Sequence, residues 1–229
     1  MRADYEQQLA NGKQIVVVAT RNAGKKREFK QMLAPLGMVV RSLADYPDLP
    51  EIEETGTTFA ENAELKARAA AEALRVPVIA DDSGITVTKL DGAPGVCSAR
   101  YAGEDASDEA NICKLLDELA KRGVTEGEVV STASGERMLL SKAAFVCSIV
   151  YLDPTSDAGE VKIVTEGRVE GYVVDRPAGD GGFGYDPLFY VPEYRRTMAE
   201  LSSEEKHAIS HRGQALRQLI EQLRGRREE

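Results

Sequence analysis

The chain has 229 residues, of which 42% are hydrophobic and 29% charged, with 29 basic against 38 acidic side chains and a formal net charge of −9. These proportions belong to a globular chain and exclude a disordered one, and a chain of this length buries roughly 70–75% of the surface its unfolded form exposes. The negative balance opposes generic binding to DNA, RNA or an anionic membrane, so no nucleic-acid or membrane partner is expected, and any phosphate handled must meet a local basic cluster. Cys97, Cys113 and Cys147 form no C-x-x-C pair and signal neither a disulfide framework nor a zinc ribbon. The start, Met1 to Glu6, lacks the apolar stretch of a signal peptide, and no apolar run approaches the ~20 residues of a membrane span. The expected compartment is the cytoplasm.

After a polar extension over residues 1–13, Ile15 to Ala19 reads as a buried strand because it is short, apolar and β-branched. Thr20 to Lys25 forms the turn out of it, and a helix follows with Phe29, Met32, Leu33 and Leu36 on one face, ending near Gly37. Met38 to Val40 is a second strand, and residues 44–56 a loop rich in carboxylates. Thr58-x-x-Glu61 is a capping box that opens an alanine-rich helix to about Arg75. Val78 to Ala80 is the next strand, with Asp81-Asp82-Ser83-Gly84 at its C-terminal end. Ile85 to Leu90 then alternates into a hairpin-type turn at Asp91-Gly92. Ser107 caps a helix carrying Ile112, Leu115, Leu116 and Leu119, closed at Gly123. Residues 138–152 and 160–174 read as two long strands and 179–185 as a glycine-rich loop. Leu188 to Val191 is a short apolar run. Ser202-x-x-Glu205 is a second capping box, and a last helix with Leu216, Leu219, Ile220 and Leu223 precedes a polar tail over 225–229. Helices and strands interleave without a compositional break, which gives one α/β domain over 14–224 with a mixed sheet, in two lobes.

The turn at 20–25 resembles a phosphate grip: backbone N–H groups at a helix N-terminus face an anion, and Lys25, Lys26, Arg27 and Lys30 make this end basic. It is not a Walker A loop, since Ala19 and Lys26 stand where that motif needs glycine and Ser/Thr; an ordinary β–α turn with a solvated basic face is the plain alternative. Gly179 to Gly184 matches G-x-G-x-x-G literally, but Tyr185-Asp186-Pro187 follows instead of a helix, so a dinucleotide site is not indicated. An aromatic flanked by glycines still suits a planar ligand. His207 and His211 lack the glutamate of the zinc-protease pattern and read as surface histidines. Alternation lets only one of Asp81 and Asp82 face a given cleft, and the other could cap a turn or meet a basic side chain. Glu51, Glu53 and Glu54 could converge on the same place, or form a solvated acidic loop. One or two carboxylates beside a phosphate grip is how Mg²⁺ is normally held.

Six blocks in order, Thr20-x-Asn22-x-Gly24-Lys25, Glu54-Thr55-Gly56 with Phe59-x-Glu61-Asn62-Ala63-x-x-Lys66-Ala67, Ala80-Asp81-Asp82-Ser83-Gly84, Gly92-Ala93-Pro94-Gly95 with Ser98-Ala99-Arg100-Tyr101, Gly182 to Pro187, and Ser210-His211-Arg212, closely resemble the inosine-triphosphate pyrophosphatase family. The resemblance spans about residues 14–224. It implies an α/β fold with a long mixed sheet, flanking helices and two lobes around a central cleft, usually in a homodimer. It also implies Mg²⁺-dependent hydrolysis of non-canonical purine nucleoside triphosphates (ITP, dITP, XTP) to the monophosphate and pyrophosphate, clearing them from the nucleotide pool. Carried over by position, Thr20, Arg21, Asn22, Ala23, Gly24 and Lys25 would bind the triphosphate. Glu53 and Asp82 would serve the metal, with Asp82 also the base. Ser83, Phe183, Gly184, Tyr185, Asp186, Lys206, His211 and Arg212 would contact the nucleotide, and Lys66 a phosphate. The chain departs from the family in Arg21, which stands where many relatives have glycine, in a longer segment over 120–142, and in its first dozen residues. Two other readings share these features: a nucleotide sensor without catalysis, and a related-fold pyrophosphatase for modified pyrimidine or 7-methylated nucleotides.

Overall fold

The computed structural model describes residues 15–156 and 159–226. The polar extension expected over 1–13 lies outside these residues, as do residues 227–229 of the expected tail; its beginning is helical, since the last helix runs to Gly225.

In chain order the elements are β1 (Ile15–Val18), α1 (Ala23–Leu33), β2 (Val39–Ser42), α2 (Phe59–Leu74), β3 (Val78–Val87), α3 (Asp108–Lys121), β4 (Val129–Thr132), β5 (Gly135–Asp153), β6 (Val161–Val174), β7 (Phe189–Val191), β8 (Arg196–Thr197), α4 (Ser203–Ile209) and α5 (His211–Gly225). The strands hydrogen-bond in the order β2-β1-β3-β5-β6-β7-β8, with β4 on β5. β2 and β3 run parallel to β1, whereas β4 on β5, β7 on β6 and β8 on β7 are antiparallel. The sheet is therefore mixed and flanked by helices, as the interleaved pattern requires. No helix among the described residues is long and apolar enough to cross a membrane.

The chain divides into two compact units. The first holds the residues up to Asp82, Ser148–Glu166 and the stretch from Ala215 onward. Its core joins Val17 and Ala19, Val78 and Ala80, and Val150 and Leu152 to Ala63, Ala67, Ala70 and Ala71 of α2. Alanines at helical spacing let α2 lie close on the strands, and its start is fixed by a complete capping box between Thr58 and Glu61. On the outer side, Glu64 pairs with Arg68 at 2.9 Å and with Lys162 at 3.0 Å. The second unit holds Ser83–Cys147 and Gly167–Gln214. Ile85, Val87, Ile112, Leu115, Leu119, Phe145, Val173, Phe189 and Met198 fill its core.

Two local expectations are corrected. β3 does not end at the aspartates; it continues through Val87, so Asp81-Asp82 lies mid-strand. Ile85 and Val87 alternate inward and carry the strand on, and Gly84 admits the turn at 95–98, where a Cβ would overlap Ser98. β4 was not anticipated, because its residues alternate between exposed and half-buried and give little apolar signal.

Candidate functional site

In the first unit, Asn22 caps α1, its Oδ1 accepting the Lys25 N–H at 3.0 Å, and Thr20 Oγ1 accepts the Asn22 N–H at 3.1 Å. The turn is thus held by its own polar side chains at the N-terminus of a helix, where a negative charge is favoured. Lys25 Nζ reaches Asp81 at 3.0 Å. Asn22 and Ala23 are exposed, and Gly24 is half-buried. Arg21 donates to the carbonyl of Leu49 at 2.6 Å, which ties the turn to the following loop.

Beside that turn lies a buried charged group. Lys66 Nζ bridges Glu54 Oε1 at 2.8 Å and Asp82 Oδ1 at 3.0 Å, while Asn62 Nδ2 donates to Asp82 Oδ2 at 3.2 Å. Asn62 Oδ1 in turn accepts the Gly56 N–H at 2.7 Å, which fastens the acidic loop to the helix. Burial pulls the Lys66 pKa down, but Asp82, Asp81 and Glu54 outweigh it and hold the ammonium above its ordinary value. Burial, with Glu54 adding to it, pushes the Asp82 carboxyl up against the pull of Lys66 and Lys25. Among the described residues, three carboxylates, Glu54, Asp81 and Asp82, meet two ammoniums, Lys25 and Lys66. Glu53 is exposed on the same loop.

The second unit gathers aromatic and cationic groups. Asp186 accepts the Phe183 N–H at 2.8 Å and pairs with Lys206 at 2.7 Å. Lys206 Nζ stands 4.8 Å from the Phe183 ring centroid, and the Arg212 guanidinium 5.7 Å from it. Arg212 is buried and donates to Ser83 Oγ at 2.8 Å. His211 is buried and stacked on Phe145, with ring centroids 4.9 Å apart, so the surface reading fails for it. The helix breaks at Ser210 between α4 and α5, which removes His207 and His211 from any shared helical face. The Tyr185 hydroxyl donates to the Ser98 carbonyl at 2.9 Å, and burial pushes its pKa far above the ordinary phenol range. Gly184 donates its N–H to Asp108 at 2.6 Å.

Of the residues singled out in the sequence, Thr20, Asn22 and Lys25 meet in one group, Asp82 and Lys66 in a second, and Phe183, Asp186, Lys206 and Arg212 in a third. Asn62 and Asp108 complete these groups although the sequence reading gave them no role, and Glu54 does so as one of the loop carboxylates that could converge there. Asn62 and Lys66 stand four residues apart on the buried face of α2, and polar groups interrupting an alanine stripe are the signal that identifies them.

The sequence model of the Ham1 family matches residues 16–222. The dITP/XTP pyrophosphatase of Geobacillus kaustophilus is 51% identical over 207 residues, covering 90% of this chain and 93% of its own length. That of Geobacter sulfurreducens is 50% identical over 208 residues, covering 91% and 96%. A HAM1 protein from Coxiella burnetii superposes with a TM-score of 0.76 at 40% identity, over 93% of this chain and 99% of that one. The Staphylococcus aureus Ham1 protein does so with 0.73 at 43%, over 93% and 100%.

Proposed function

The chain belongs to the Ham1 family, and from that premise we propose that it hydrolyses non-canonical purine nucleoside triphosphates (ITP, dITP and XTP) to the monophosphate and pyrophosphate. The observation that carries this reading is the charge inventory around Lys66. Carboxylates paired with Lys25 and Lys66, next to a basic helix N-terminus, suit a triphosphate accompanied by a divalent cation.

Among the described residues no three of His, Cys, Asp and Glu form a ready-made cage. Mg²⁺ does not need one, since it binds through one or two carboxylates, water and substrate phosphates. The donor set fits, being hard oxygens only. Asp82 and Glu53 would hold the ion, Glu53 being exposed on the loop that Asn62 and Lys66 fasten beside Asp82. Bound there, Mg²⁺ would neutralise the departing pyrophosphate and acidify a coordinated water.

The chain's own residues supply positioning and charge. Thr20 to Lys25 grip the triphosphate through main-chain N–H groups and the Lys25 ammonium. Asp82, its Oδ2 steadied by Asn62, orients a water for attack at the α-phosphorus and accepts its proton. Lys66 balances charge on the phosphates. Phe183 offers a stacking face, worth ~1–3 kcal/mol without selecting a base. Lys206, His211 and Arg212 are donors suited to a 6-oxo purine, with Ser83, Gly184, Tyr185 and Asp186 contacting or shaping the same end of the nucleotide. Adenine presents a donor at position 6, and Arg212 can only donate, so it cannot adapt. A cytoplasmic homodimer that engages neither nucleic acid nor membrane completes the proposal, supported by the net charge of −9.

Pyrophosphate release measured over ITP, XTP, dITP, ATP, GTP, CTP and UTP, with and without Mg²⁺, tests the reading. Turnover of ITP and XTP that requires the metal is expected. Binding without release would indicate a sensor, and preference for modified pyrimidines a different pyrophosphatase.

A further inference from the structure

The hairpin formed by β4 and the start of β5 has no part in the chemistry above, yet it is tied in two ways to the start of the glycine-rich loop. Arg137 is nine-tenths buried, and among the described residues its guanidinium meets only main-chain carbonyls: Glu136 at 2.7 Å and Pro177 at 3.2 Å. Its Nε has no acceptor. A buried cation without a carboxylate is a poor way to gain stability, because desolvation is not offset by an ion pair. What it does is hold the carbonyl two residues before Gly179. Next to it, Asp175 and Met138 exchange two hydrogen bonds, of 2.8 and 2.9 Å, and Arg176 donates to the Glu136 carbonyl at 2.7 Å.

A second tie runs through Glu200. Its Oε1 accepts the Ser134 N–H at the hairpin tip at 2.7 Å, and its Oε2 accepts the Thr197 N–H at 2.8 Å. The turn that carries Glu200 is the floor under the loop. Gly181 donates to the Ala199 carbonyl at 3.0 Å, and a Cβ on Gly179 or Gly181 would stand 2.7 Å from that same oxygen. Thr197 Oγ1 donates to the Ala178 carbonyl at 2.6 Å. From this floor the loop rises to Phe183, whose N–H is taken by Asp186.

We propose that the β4–β5 hairpin is a second support of the glycine-rich loop, with Arg137 and Glu200 as positioning residues that fix where Phe183 stands against a bound purine. The inference rests on the purine-nucleotide reading above. It makes the β4–β5 hairpin a determinant of nucleotide affinity.

The test compares wild type, Arg137→Ala, Arg137→Lys and Glu200→Gln by ITP kinetics and by hydrogen exchange of the 178–186 peptide in the full chain. Loss of coupling through a contact of this kind changes affinity roughly two- to thirtyfold. Arg137→Ala is expected to raise KM within that range at little changed kcat and to speed exchange in 178–186, but not in 60–72. Arg137→Lys, which can reach one carbonyl, should recover part of both effects. Glu200→Gln, with one acceptor oxygen for two N–H donors, should weaken the loop through the second tie, and it decides the matter if Arg137→Ala does not fold. Variants that melt lower but keep wild-type KM and loop exchange would overturn the proposal. Should wild type hydrolyse no ITP, the purine reading fails, and the exchange measurements alone decide the support.

Discussion

Lys25 Nζ lies 3.0 Å from the fully buried carboxylate of Asp81, so the lysine of the β1–α1 turn is anchored to the strand that carries Asp82. Alternation along β3 separates the two aspartates, as expected, but Asp81 is not thereby idle: it pairs with the lysine of the β1–α1 turn. Asp81→Asn removes one partner of a buried pair, a change that costs roughly 3–5 kcal/mol. The lower end is expected, because the Lys25 side chain is 16% exposed and can turn to water. Thermal unfolding should fall by several degrees, and KM for ITP should rise as the turn loosens. Unaltered melting and kinetics would dismiss the Lys25–Asp81 anchor.

Asp82→Asn keeps the shape of the side chain and its neighbours Asn62 and Lys66 but removes a base and a metal ligand. Turnover should drop by at least about a hundredfold, as for loss of a positioned general base, while calorimetry still detects nucleotide. Near-wild-type turnover would remove Asp82 from the mechanism.

Gly182 sits at φ +75°, and a Cβ there would overlap the Asp186 carboxylate. Gly182→Ala should therefore displace the group that holds both the Phe183 N–H and Lys206. Nucleotide affinity is expected to fall more than thermal stability, which a titration and a melting curve on the same sample can compare. An alanine variant with wild-type affinity would show that the loop tolerates the strain.

Acid should weaken the start of α2. Hydrogen bonds from the Thr57 N–H and hydroxyl and the Thr58 N–H hold the Glu61 carboxyl below its ordinary value of 4.5. A carboxylate whose folded pKa is depressed contributes stability above its unfolded value, and that contribution disappears as pH falls through the folded one. The difference in urea midpoint between wild type and Glu61→Gln should thus be largest near neutrality and shrink toward pH 3. A gap that widens in acid would contradict the capping geometry.

Local signals carried much of this molecule. β-branched runs, capping boxes at Thr58 and Ser202, and apolar residues at helical spacing placed most elements, because each is written in a few consecutive residues. The capped turn at 20–25 was legible for the same reason, as Thr20 and Asn22 bond to the backbone of the turn itself. Tertiary structure decided what depends on distant neighbours. Whether β3 stopped at the aspartates turned on Ser98 packing against Gly84. That Glu54 pairs with Lys66 while Glu53 is exposed, and that Arg137 holds the carbonyl of Pro177, follow from chain segments meeting in space. A side chain's partner is set by packing over such separations, and no local pattern of charge or hydropathy encodes it.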